Sequence, residues 1–303
     1  IFKPKNTYLF IGGYSEKPVP GIGSNPKSGV TFDYYLNEAQ DSTELKLEVL
    51  KDGTVIRTVS NQKDKKFSSW PGGPSKPAVL PSKKGYNRFT WDFKRDPLPA
   101  VEKVFVLGGL DGSIVGPGDY QLRLTLENET AETSVSILPL PNIEATKADY
   151  EEQQNMLKTI EATVIEIHTA VNDMLSAKSQ LKQYNQLLED NTKAEALLKQ
   201  GDSLIKRISS WEENLIQPNQ KTFQDVINFE NKLNAQLLNL RGYIDVAEPN
   251  VTMGAKERLR DLLAIWGSFK TEHNAIINTE MKAYNTLFQS LEIPAIILPQ
   301  AQN

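Results

Sequence analysis

The 303 residues contain no cysteine. That excludes disulfides, thiolate metal sites and a cysteine nucleophile. Histidine is nearly missing too, with only His168 and His273 present. A metal centre needs several ligands converging on one point. Neither histidine has the Glu-x-x-His pattern of ferritin-like iron sites; Glu272 and Glu280 do not supply it. A serine or threonine nucleophile needs a base beside it, yet no histidine lies before residue 168 and no Gly-x-Ser-x-Gly elbow occurs. No run of about 18 apolar residues exists, so no transmembrane helix is expected. Neither sign of charge dominates, with 34 Lys+Arg against 38 Asp+Glu. Residues 1–143 carry net +2 and the remainder net −6. A nucleic-acid footprint would be a strongly basic patch, so no nucleic acid is expected. No cofactor motif is found: Gly21-Ile-Gly-Ser24 and Gly108-Gly109 do not open helices, as phosphate cradling requires. The chain opens on Ile1 without a visible signal peptide, and the expectation is a fragment or processed form.

What is present divides in two. Around the stretch from Thr146 to Asp190 the rest is arranged. Leu157, Ile160, Val164, Ile167, Val171, Met174, Leu181 and Leu188 recur at helical steps with no Gly or Pro between them. One helix of about 40 residues, roughly 60 Å long, follows. Thr146 and Asp149 read as a capping box at its start. Such a helix needs partners. The first is Lys193 to Ile216, with Gly201 on its stripe. The next is Glu230 to Val246, and the last runs from a Thr252 cap to about Leu291. Pro218 and Pro249 separate them. Four separate helices are preferred over three rods with the second and third collinear. Pro294, Ile296, Ile297 and Pro299 form an extended apolar tail.

Before Pro139–Pro141 the period is two. Val30, Phe32, Tyr34 and Leu36 alternate with polar neighbours, as do Leu45, Leu47, Val49 and then Phe89, Trp91, Phe93. Lys51-Asp52-Gly53 is a hairpin turn. Tyr120 to Leu126 and Val135 to Ile137 complete six or seven short strands. Helical crossovers are missing between them, so an antiparallel immunoglobulin-like β-sandwich is expected. The expected organisation is a lead-in over 1–27, the sandwich over 28–141, and a helical bundle with its tail over 142–303. Two long excursions, 61–84 and 97–115, do not read as strands. Excursions of that length either cap a fold or meet a partner. The run Val104 to Leu107 is apolar enough to need cover; a missing upstream domain is one candidate.

No catalytic constellation is legible. Asp33, Asp92 and Asp119 are the acidic candidates in strands or beside turns, and strand faces and turn chemistry account for them without a glycosidase pair. Trp70, amid Pro71, Gly72, Gly73 and Pro74, is the one candidate contact residue, for a glycan or a partner.

The stretches Ser24 to Leu36, Leu47 to Arg57, Gly85-Tyr-Asn-Arg-Phe-Thr-Trp-Asp92 and Gly116-Pro-Gly-Asp-Tyr-Gln-Leu-Arg123, taken in that order, resemble a known arrangement. It is the C-terminal region of large bacterial proteins that begin with a sortilin-type β-propeller and bear the label "glycosyl hydrolase, BNR repeat". The sandwich part is also similar to the immunoglobulin-like domain of flagellar-hook capping proteins. Ala148-Asp149, Asp225 to Phe229 and Pro249 to Thr252 carry the resemblance into the helices. The resemblance implies a secreted, periplasmic or cell-surface accessory module. Its partner would be the upstream propeller, or else a glycan or another envelope protein. It maps no catalytic residue here. The alternatives it leaves are a carbohydrate-binding module and a catalytic glycosidase fragment.

Overall fold

The computed structural model describes residues 1–11, 21 and 27–294. The tail positions Ile296, Ile297 and Pro299 lie outside them. Among the described residues seven strands come first: β1 (Thr7–Tyr8), β2 (Val30–Leu36), β3 (Leu45–Lys51), β4 (Thr54–Ser60), β5 (Gly85–Trp91), β6 (Gly118–Leu126) and β7 (Glu129–Leu138). They form a five-stranded sheet in the order β1-β7-β6-β3-β4 and a two-stranded sheet, β2-β5. Phe32, Tyr34 and Trp91 from the small sheet share one core with Leu47, Leu122 and Ile137 from the large one. The expected alternation is therefore real: β2 reads buried at Val30, Phe32, Tyr34 and Leu36.

The large sheet is mixed, which corrects the expectation of an all-antiparallel fold. β1 pairs parallel with β7, Thr7 opposite Ile137 and Tyr8 opposite Leu138. A parallel pair requires a long connection. Here the rest of the sheet half, rather than a crossover helix, supplies it. The opening residues, expected as a lead-in, thus contribute a strand. Phe2 N–H also donates to Asp33 O at 2.8 Å. At the β3–β4 hairpin Asp52 and Gly53 both have positive φ, 50° and 77°. That is the two-residue turn whose twist matches the strands.

Among the described residues the helices that follow are α1 (Lys147–Leu187), α2 (Glu195–Glu212), α3 (Leu233–Ile244) and α4 (Met253–Ala275), the last continuing through a π-helical turn (Ile276–Met281) into α5 (Lys282–Ser290). The Thr146–Asp149 capping box is formed at the start of α1. Partner positions give the directions. Along α1, Lys178 meets Glu212 and Asn185 meets Asp202, so α2 runs antiparallel to it. Gln153 reaches Ile244 and His168 reaches Asn234, so α3 is antiparallel too, beside the other half of α1. Glu152 pairs with Lys256, Glu166 with Lys270, and Tyr184 packs on Phe288, so α4 and α5 run parallel to α1 along its whole length.

These contacts place α2 and α3 end to end. Leu233 N–H donates to Asn214 O and Asn234 N–H to Leu215 O, so α3 takes up the carbonyls at the end of α2. The bundle is three rods, not the four separate helices preferred from the sequence. Pro218 does not turn the rod aside; residues 217–231 leave it and return as an excursion closed at its base. No described helix is long and apolar enough to cross a membrane.

Candidate functional site

Trp70 is half-buried. Its indole N–H donates to Val104 O at 2.9 Å, and its ring lies where a side chain on Gly73 would stand, 2.5 Å from that position. Phe105 closes on Gly72 in the same way. The two excursions therefore hold each other. Asp33 forms a bidentate pair with Arg88, at 2.8 and 2.9 Å, on the outer face of β2-β5. Asp92 accepts from Lys94 N–H and Asp119 from Ser136 Oγ. The three aspartates have separate partners and do not converge.

The histidines do not meet. His168 is buried to 1 % exposure. Its Nδ1 lies 2.7 Å from Pro99 O and its Nε2 3.1 Å from Asn234 Nδ2. Because the amide can only donate, Nε2 accepts and Nδ1–H donates. The ring is thus held neutral, and burial lowers its pKa from the ordinary 6.5. His273 stacks on Trp211 at 5.2 Å. No metal-holding group of three His, Asp or Glu is found among the described residues.

Polar side chains also converge where the sheet half meets the helices. Leu98, Val101, Val106 and Leu110 belong to the helical core rather than to the sheet core. The cover that Val104 to Leu107 needed comes from the chain's own helices. Gly108 (φ 99°) fits tightly against Leu238: a Cβ there would stand 3.0 Å from it. Around this apolar contact lies a ring of charged and polar groups. Arg95 donates to Glu161 Oε2 at 3.1 Å and to Gln154. Glu161 Oε1 accepts from Ser113 N–H at 2.6 Å. Ile114 N–H, the next amide along, points at Asp245, 3.1 Å from Oδ1. Arg241 donates to the carbonyls of Asp111 (2.7 Å), Gly108 (2.9 Å) and Gly109 (3.0 Å). Burial lowers the Arg241 pKa and pushes Asp245 up to about 6.

Sequence reasoning did not single out Arg95, Glu161, Arg241 or Asp245. A signal existed: Glu161 follows Leu157 by four residues and Arg241 follows Leu237 by four, so both charges sit on the apolar stripe. Buried charges persist where they are paired and hydrogen-bonded. The ring's carboxylates are taken up by backbone N–H groups and a guanidinium, which suits a joint.

Other surfaces are open. Phe2, Tyr35 and Tyr86 are 47, 49 and 68 % exposed. Tyr86 stacks on Phe2 at 5.9 Å and meets Tyr35 edge-on at 5.2 Å. At the corner between α3 and α4 a cavity of about 530 Å³ is lined by Leu240, Tyr243, Val251 and Arg258 among others. No protein-family profile matches the chain, and no curated protein matches it either.

Proposed function

We propose that the chain is a non-catalytic accessory module, an immunoglobulin-like sandwich joined to a helical bundle. It would serve a secreted, periplasmic or cell-surface bacterial propeller protein in support, docking or assembly. The observation that carries the reading is the joint. Segment 94–115 leaves the sheets, enters the helical core and is held there by Glu161, Arg241 and Asp245. Two halves fastened in this way present their surfaces in fixed relation, as a spacer or docking arm requires. The reading is tested with the isolated chain and a separately expressed propeller. Association at micromolar concentration and no hydrolysis of a polysaccharide panel are expected. Glycosidase activity abolished by a single carboxylate substitution would overturn it.

A second reading, carbohydrate binding, draws on the exposed rings of Phe2, Tyr35 and Tyr86 beside the Asp33–Arg88 pair. An aromatic face can cover the apolar side of a sugar while the ion pair offers hydrogen bonds. Trp70 is less suited, since its indole N–H is engaged by Val104. Isothermal titration against the same panel decides it. Binding lost in Tyr86→Ala but kept in Trp70→Ala would establish this face. Absence of heat with every glycan removes it.

A further inference from the structure

The joint contains one charge poorly matched to its place. Asp245 caps α3, half-buried beneath Ile114. Facing it are Glu161 from α1, Arg95 from the segment after β5, and Arg241 one turn back on its own helix, with Asp111 beyond Arg241. Arg95 is directed at Glu161 and Gln154, and Arg241 at three carbonyls. Neither guanidinium therefore pairs directly with Asp245. Glu161 and Asp245 accept from consecutive amides, those of Ser113 and Ile114, so two carboxylates are crowded under one turn of chain.

We propose that this joint is a proton-operated latch between the sheet half and the helical half, held more firmly in mild acid than at neutral pH. Ile114 N–H donates to both oxygens of Asp245, to Oδ1 at 3.1 Å and to Oδ2 at 3.3 Å, and the proton goes to the more distant Oδ2 while Oδ1 keeps its bond. Uptake removes a buried charge and relieves its repulsion from Glu161. The direction follows from the shift. Asp245 rises from an ordinary 3.8 to about 6, with burial the main cause and Glu161 adding to it. The folded chain then holds a proton over a range where the unfolded chain has lost it. The stabilisation is complete below about 3.8 and is lost as pH rises through about 6. The coupling of the two halves accordingly weakens above pH 6. Nothing else at the joint has to move.

The experiment is amide hydrogen exchange at Ser113 and Ile114 from pH 4.5 to 8, corrected for the intrinsic pH dependence. Protection at Ile114 should fall as pH rises through about 6, by up to roughly 100-fold for a shift of about two units. In Asp245→Asn, which keeps the acceptor oxygen without the charge, protection should stay at its acid value throughout. Burial lowers the His168 pKa and gives it a pH dependence of opposite sign, so the readout is the difference between parent and variant. A carbon-13 titration of the Asp245 carboxyl in the unsubstituted chain should show a midpoint near 6, lowered by Glu161→Gln. Parallel pH profiles in parent and variant, or a midpoint below 5, would overturn the latch.

Discussion

His168 shows how one residue is fixed by its neighbours. Asn234 and Pro99 settle its tautomer, and burial lowers its pKa from 6.5. A base depressed on folding loses stability as pH falls below its unfolded value, because the unfolded chain then takes up the proton more readily. Thermal melts between pH 7 and 5 should show the parent losing up to about 1.4 kcal/mol per pH unit relative to His168→Gln. Identical slopes would mean that the ring protonates in place. Glu127 is a different kind of residue-scale feature. It holds φ 51° at the first position of the β6–β7 turn, where the left-handed region disfavours an L side chain. Glu127→Gly should raise stability by about 0.5–1 kcal/mol in urea titration, strain relief outweighing the added backbone entropy. A loss would show that the side chain holds the turn.

At the scale of elements, α1 is the reference against which the other helices are set. Its 41 residues span roughly 60 Å, longer than any single partner, so α2 and α3 cover it in tandem. The capping box at Thr146 anchors its start, and Thr146→Ala should cost about 1 kcal/mol in chemical denaturation. The excursion over 217–231 is an interruption in a rod. It orders itself: Gln220, 1 % exposed, donates to Phe229 O and Asn231 Oδ1, and Thr222 with Asp225 forms a second capping box. At its tip Phe223 and Ile227 are 69 and 84 % exposed and add nothing to the core. Replacing Lys221 to Phe229 by a short Gly-Ser link should therefore lower the melting temperature by only a few degrees, since loop closure depends weakly on length. Collapse of the helical circular dichroism signal would show that the excursion braces the rod.

For the whole molecule the decisive feature is segment 94–115, which is tied to the sheets at its ends and packs on the helices from Leu98 to Leu110. Arg95 and Glu161 are 11 and 9 % exposed in their side chains. Removing one partner of such a buried pair leaves the other uncompensated, so Glu161→Ala should cost about 3–5 kcal/mol. Arg95→Met with Glu161→Leu should recover most of it. Trp266 lies in the core that includes Leu98 and Val106. Truncating it should cost about 3–5 kcal/mol. In calorimetry that loss should lower the unfolding of both halves together, because the shared segment transmits it. A shift in one transition alone would mean that the joint yields first.

The helical stripe of α1, the alternation in β2, β3 and β6, the Asp52-Gly53 turn and the Thr146 cap were legible because each is local. They depend on periods of 3.6 and two and on the φ angles that particular residues accept. Val164, Ile167, Leu204, Ile208 and Trp266 fall in a single core with half-buried Phe269 packed against it, since every apolar stripe requires cover. β1 was not legible, because two residues carry no period and their partner, β7, lies about 130 positions away. The end-to-end meeting of α2 and α3 was hidden behind Pro218, which marks a break without saying whether the axis resumes. The joint was hidden most completely. Ser113 and Ile114 offer only backbone N–H groups, which every residue but proline possesses. Only the packing of Leu98, Val101, Val106 and Leu110 against the helices brings those amides to Glu161 and Asp245. The sequence by itself determined which faces had to be buried. The tertiary structure decided which face covered which, because burial is non-directional and hydrogen-bond geometry is not.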